Sequence, residues 1–94
     1  MAMSNLPPTA AITAPPTVNG QTVSFTDNST DAEDPQYELL VVVDWGDRTI
    51  STGHAGATFK HTYILSGKYT IRLKATDTAG LSGYKIFSVP IPKE

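Results

Sequence analysis

Short runs of alternating apolar and polar residues fill this chain, broken roughly every ten residues by glycine, proline, asparagine or aspartate. No apolar stripe repeats at the helical period for long enough to make a helix. Residues 9–14 read as a first, edge-type strand closed by Pro15-Pro16, since proline belongs at the edges or ends of sheets. Asn19-Gly20 signals a hairpin, both central positions of a type I′ turn needing positive φ. Residues 21–26 alternate, with Val23 and Phe25 on one face and Thr22, Ser24 and Thr26 on the other. Asp27 to Pro35 is an acidic loop. Residues 37–45 form the most apolar strand, and the continuous run Leu39 to Val43 predicts a strand central in its sheet or buried on both sides.

Gly46-Asp47-Arg48 turns the chain, and residues 49–52 add a short edge strand. Residues 57–63 place Phe59, His61 and Tyr63 on one face, and Ser66-Gly67 makes a corner. The cleanest alternation spans 69–77, with Tyr69, Ile71, Leu73 and Ala75 inward and Thr70, Arg72, Lys74 and Thr76 outward. A last strand covers 82–89, with Lys85, Phe87 and Val89 inward and Tyr84 outward, and Pro90 and Pro92 end it. The pattern predicts an all-β sandwich of about seven antiparallel strands.

Composition narrows the setting. Ninety-four residues make one domain, and 39% apolar with 17% charged residues is ordinary for a globular sequence. A net charge of −2 with scattered Lys and Arg argues against nucleic acid, which selects basic faces. The absence of cysteine excludes a disulfide or a thiolate zinc site. No apolar run reaches membrane-spanning length, so no membrane partner is expected. Met1-Ala2-Met3-Ser4 lacks the apolar core of a signal peptide, and its paired methionines suggest a cloning scar on a piece of a longer protein. The expected division is a tag or linker over 1–6 and the domain over 7–92.

Four short motifs then stand in a fixed order: Val43-Asp44-Trp45-Gly46-Asp47, His61-Thr62-Tyr63, Gly67-Lys68-Tyr69-Thr70 and Asp77-Thr78-Ala79-Gly80. In that order and at those gaps the chain resembles the PKD (polycystic kidney disease) family of immunoglobulin-like β-sandwich modules, from Asn5 to Pro90. Gly67 and Tyr69, with Ile71 two residues on, look like the tyrosine corner of immunoglobulin-type sandwiches, whose hydroxyl bonds backbone upstream. Val23 or Phe25 with Ile71 would fill by packing the place of the missing disulfide. The family usually carries Trp-Asp-Phe-Gly-Asp-Gly where this chain has Val43-Asp44-Trp45-Gly46-Asp47-Arg48. The first two changes keep an inward apolar pair. The third puts in doubt a positive φ at position 48, which only glycine takes freely.

The acidic loop holds Asp27, Asp31, Glu33 and Asp34, four of the nine carboxylates. Carboxylates packed this closely repel one another unless a cation or water screens them. Calcium suits such a loop, since it takes six to eight oxygen ligands; a solvated acidic turn is the alternative. The resemblance adds a ligand set, because certain bacterial PKD modules bind calcium where this loop meets the N-terminus. Carried over by position, the candidates are the Asn5 amide oxygen, the Ser29 carbonyl, Asp31, Asp34 and Asp77. Asp77 can join only if the end of its strand lies at the same end of the sandwich. Asp27, Ser29, Asp31 and Glu38 also match positions 1, 3, 5 and 12 of an EF-hand loop, but Ala32 replaces the turning glycine and no helices flank the segment.

Elsewhere the chemistry is structural. Asp44 is expected on the outer face of its strand and Asp47 as a turn cap, rather than as an acid–base pair. His61 reads as a packed histidine, Trp45 as core, and the hydroxyls lack a positioned base. Tyr37 and Tyr84 are the candidate ligand-contact aromatics. The resemblance implies a non-catalytic, monomeric accessory module from a secreted or cell-surface multidomain hydrolase, a metalloprotease ahead of a chitinase. Its partners would be neighbouring domains of the parent and, beyond them, extracellular protein or polysaccharide. The alternative is an adhesion module for polysaccharide or fibrous protein, without metal.

Overall fold

Alternation decides which side of each strand faces the core. In β6 (Gly67–Thr76) the side chains of Ile71, Leu73 and Ala75 are fully buried, and Arg72 between them is exposed. The computed structural model describes residues 6–93. Before β6 come β1 (Thr17–Asn19), β2 (Thr22–Thr26), β3 (Leu40–Asp44), β4 (Ile50–His54) and β5 (Thr58–Thr62); β7 (Ser82–Ile91) follows it. They form a three-stranded sheet in the order β1-β2-β5 and a four-stranded sheet in the order β4-β3-β6-β7, all neighbours antiparallel. The two sheets enclose one core of Val23, Phe25, Val41, Val43, Trp45, Phe59, Tyr63, Ile71, Leu73, Ala75, Val89 and Ile91. This is an immunoglobulin-like sandwich, and Val23, Phe25 and Ile71 all lie in its core.

The tyrosine corner forms as expected: the Tyr69 hydroxyl donates to the Leu65 carbonyl at 2.8 Å. Tyr63 stacks on Tyr69 with ring centroids 4.0 Å apart and donates its hydroxyl to the Trp45 carbonyl at 2.7 Å. Burial, with the Asp47 charge nearby, holds the Tyr63 phenol above its usual range, so it stays a donor. Trp45 is core, its indole N–H satisfied by Ser51 Oγ at 2.8 Å.

Several expectations need correction. Residues 9–14 form no continuous strand; isolated bridges pair Thr9 with Thr30 and Ile12 with Asp27. The Ala11 N–H is drawn instead to Ser29 Oγ at 3.2 Å, which interrupts the ladder. This segment is a strap laid beside the chain that continues β2. The first strand follows Pro15-Pro16, and its hairpin loop is Gly20-Gln21, since Asn19 pairs with Thr22. Only Gly20 has positive φ, +63°, so glycine takes the first central position, as in a type II′ loop.

Tyr37 does not begin the third strand. Gln36–Glu38 make a 3-10 turn and pairing starts at Leu40. β3 is central, but it is not buried on both faces: Leu40 is exposed and Val42 half-buried. β4 is the expected edge strand, displaced and longer. β7 runs through Pro90 to Ile91, which an edge strand tolerates because the missing N–H faces no partner. Lys85 has inward parity, opposite Leu73, yet is exposed at that edge. Arg48 does adopt positive φ, +74°, against the doubt its side chain raised.

Candidate metal centre

The acidic loop, the β4–β5 turn and the β6–β7 turn all lie at one end of the sandwich. Antiparallel pairing requires it: Leu40 opposes both His54 and Thr76, Thr76 opposes Ser82, and Thr26 opposes Thr58. The condition for Asp77 to meet the loop is thereby satisfied.

Asp27, which has no place in the expected ligand set, builds the frame. Its buried carboxylate accepts the Ser29 N–H at 3.0 Å, the Ser29 hydroxyl at 2.7 Å and the Gly56 N–H at 3.2 Å. A carboxylate out of water needs that many donors. They tie the start of the loop to the β4–β5 turn. Ser29 is fully buried, and its carbonyl accepts the Gln36 side-chain amide at 2.9 Å, leaving one lone pair for any other partner. The available sequence signal was a strand-ending Asp with a Ser two positions on, a local side-chain-to-backbone turn.

Three carboxylates then converge. Asp31 Oδ2 accepts the N–H groups of Glu33 at 3.1 Å and Asp34 at 2.9 Å. Asp34 Oδ2 accepts the N–H and hydroxyl of Thr78 at 2.9 and 2.8 Å, bridging the loop to the β6–β7 turn. Asp77 Oδ1 accepts the N–H groups of Ala79 and Leu81 at 3.0 and 2.9 Å. With one oxygen of each carboxylate fixed this way, Asp31, Asp34 and Asp77 offer ligand oxygens all within 4.8 Å of one another. Asp31 Oδ1 is buried and accepts no hydrogen bond among the described residues. A buried anionic oxygen without a donor is costly, and beside two more carboxylates a cation relieves both problems at once. The dimensions fit: oxygens on opposite sides of a calcium ion stand about 4.6–5.2 Å apart.

The strap reaches the same end. The Leu6 N–H donates to Glu33 Oε1 at 3.3 Å, and Thr9 and Thr30 exchange backbone hydrogen bonds at 2.8 and 3.1 Å. Pro8 is buried against Gly83, where an added Cβ would stand 1.9 Å from the Pro8 carbonyl oxygen. Asn5, the fifth candidate ligand, lies outside the described residues.

The candidate aromatics are elsewhere. Tyr37 stands on the 3-10 turn, 74% exposed, and Tyr84 on the outer face of β7 under the Arg72 guanidinium, 4.6 Å from the ring centre. Asp44 is outward, accepting the Gly46 N–H at 3.0 Å, and Asp47 caps its turn by accepting the Thr49 N–H at 3.2 Å. Among the described residues no helix is long and apolar enough to cross a membrane.

Comparison with known proteins agrees with this architecture. The PKD1 domain of Vibrio anguillarum Epp superposes with a TM-score of 0.80 at 23% identity, covering 97% of this chain and 100% of that one. The PKD1 domain of the Vibrio cholerae metalloprotease PrtV gives 0.79 at 22% identity, covering 94% and 100%. The PKD domain of an M14-like peptidase from a Thermoplasmatales archaeon gives 0.75 at 25% identity, covering 96% and 100%. No curated protein sequence matches significantly. The family model of the PKD domain matches residues 5–90. The chain belongs to the PKD domain family, whose members are generally non-catalytic accessory modules.

Proposed function

We propose that this domain, residues 7–92 with 1–6 as linker, is a calcium-stabilised accessory module of a secreted multidomain hydrolase, a metalloprotease in the first instance. Asp31, Asp34 and Asp77 would hold the ion, with the Ser29 carbonyl and the Asn5 amide completing the set. The observation that carries the reading is the buried, unpartnered Asp31 Oδ1 in a triangle of carboxylates no wider than 4.8 Å. Calcium there would lock the acidic loop to the β6–β7 turn, and Glu33 joins that loop to the strap at Leu6. The ion would thus fix the angle at which an upstream domain enters. The module's work is spacing and orientation, and since only the folded form has the site, calcium adds stability by linkage.

The test is calorimetric unfolding in EDTA and then in millimolar calcium. A rise in melting temperature that Asp31→Ala abolishes supports the proposal, and the same temperature under both conditions refutes it. The second reading, an adhesion module without metal, is favoured by the exposed apolar side chains of the four-stranded sheet, Leu40, Ile50, Tyr84 and Ile86.

A further inference from the structure

The outer face of the four-stranded sheet carries an arrangement that the calcium proposal leaves unused. Pairing register lays its side chains out in rows across the strands. One row runs Thr52, Val42, Lys74, Tyr84 from β4 to β7, and the next Ile50, Asp44, Arg72, Ile86. Between the rows is a shallow concavity of about 200 Å³ lined by Val42, Asp44, Ile50, Arg72, Lys74 and Tyr84. Ile50 and Ile86 are each 63% exposed and Tyr84 48%, which is a large apolar commitment for the solvent side of a half-buried sheet.

The charge is equally unusual. The outward positions of β6 carry three cations, Lys68, Arg72 and Lys74, on a chain whose net charge is −2. No ion pair among the described residues involves them; the one ion pair there joins His61 and Asp47. Asp44 lies opposite Arg72 in register, but its Oδ1 is turned to the Gly46 N–H. Arg72 instead rests on the Tyr84 ring, which fixes its guanidinium while leaving the charge unneutralised.

Across the sheet the face therefore reads apolar (Ile50, Val42), with Asp44 beside them bonded to the Gly46 N–H, then cationic (Arg72, Lys74), then apolar (Tyr84, Ile86). Four strands at about 4.8 Å spacing span about 14 Å from β4 to β7. An extended peptide covers the same distance from residue i to i+4, with side chains i, i+2 and i+4 on one side. From this match we infer that the face binds an extended protein segment with an acidic residue flanked, two positions away on either side, by aliphatic residues. The carboxylate would meet Arg72 and Lys74, one aliphatic side chain would enter beside Val42 and Ile50, and the other would lie against Tyr84 and Ile86. A sugar polymer fits less well, because stacking needs an open ring face and Arg72 covers one face of Tyr84. The inference is independent of the metal proposal, which concerns one end of the sandwich rather than its face.

Titration of the ¹⁵N-labelled domain with acetyl-Leu-Ser-Glu-Ser-Leu-amide tests it. Saturable amide shifts are expected on β3, β4, β6 and β7 around Val42, Arg72 and Tyr84. Replacing Glu by Lys in the peptide should abolish them. The pair Arg72→Gln and Lys74→Gln, both outward and so compatible with folding, should weaken binding about tenfold or more. Equal binding of the lysine peptide, shifts confined to another face, or no shifts at millimolar peptide would each overturn the inference. So would tighter binding of oligogalacturonate to the same face, or shifts there that depend on protein concentration without peptide, which would make the occupant a uronic-acid polymer or a second copy.

Discussion

His61 Nε2 stands 2.7 Å from Asp47 Oδ2, joining β5 of one sheet to the β3–β4 turn of the other at the end opposite the acidic loop. The imidazole is also stacked on Trp45, with ring centroids 5.0 Å apart, and lies 3.2 Å from the Thr49 hydroxyl. The contact is polar, yet it sits directly over the core tryptophan and, with the Tyr63 hydroxyl on the Trp45 carbonyl, links the two layers beside their apolar packing.

This contact predicts an acid-dependent loss of stability. Burial alone would push the Asp47 carboxyl up, but hydrogen bonds from Thr49 and His61, with the His61 charge, outweigh it and leave the group below the usual 3.8. A carboxyl depressed on folding contributes stability that is complete above its unfolded value and disappears as pH falls through the folded one. The domain should therefore melt above its Asp47→Asn variant at about pH 6, and the gap should close as the pH falls below 3.8 and through the lowered Asp47 value. Because the pair is partly solvated, the gap should not exceed about 5 °C. A gap constant over that range would show that Asp47 acts only as a turn cap.

Arg48 is a different liability in the same turn. Its φ of +74° is left-handed, a region costing a non-glycine residue about 1 kcal/mol or more. Gly46, two positions earlier, lies so close to the Thr70 backbone that an added Cβ would stand 2.4 Å from its carbonyl oxygen. Arg48→Gly should raise stability by about 0.5–1 kcal/mol after the entropy that glycine adds to the unfolded chain. Arg48→Ala keeps the strain and should not. Chemical denaturation of the two variants checks the difference, and equal midpoints would refute it.

Most of the frame was legible because it rests on periodicity. Tyr69 to Ala75 alternate against a single core, so their faces and their strand follow from spacing, and the tyrosine corner from the resemblance to immunoglobulin-type sandwiches. Residues 9–14 and 37–39 misled for different reasons: in the first the Ser29 Oγ acceptor competes with the ladder, and in the second backbone bonds from Glu38 to Pro35 and from Leu39 to Gln36 close a 3-10 turn before the strand. Arg48 followed backbone demands that its own side chain opposes. At the site, Asp31, Asp34 and Asp77 are named by resemblance, while the residues alone do not sort Asp27 and Glu33 from them. One carboxylate facing inward to backbone donors and another facing a strap look alike in sequence, and only the packed loop distinguishes them.

The strap gives a third prediction. Pro8 lies on β7 only because Gly83 has no side chain. In Gly83→Ala the Cβ must displace the Pro8 carbonyl, while the β6–β7 pairing of Ala75 with residue 83 can persist. Stability should fall by about 1–3 kcal/mol, as for other overpacked sites. Limited proteolysis should find new cleavage within residues 6–12. An unchanged melting temperature with no new cleavage would mean that the strap carries no weight.

The carboxylate triangle predicts that one substitution changes sign with calcium. Asp31→Asn removes one of three clustered negative charges, and its amide can still accept the N–H groups of Glu33 and Asp34 through oxygen while donating toward the other carboxylates. In EDTA the variant should therefore be at least as stable as the unaltered domain, because mutual repulsion falls and the buried orphan oxygen disappears. In calcium the order should reverse. A ligand at about a hundred times its dissociation constant adds about 2.7 kcal/mol, which is about 10 °C or more for a domain of this size. Melting curves of both proteins in EDTA and calcium should cross between conditions. If Asp31→Asn is less stable by the same amount in both, Asp31 is a loop-capping carboxylate and the triangle holds no ion.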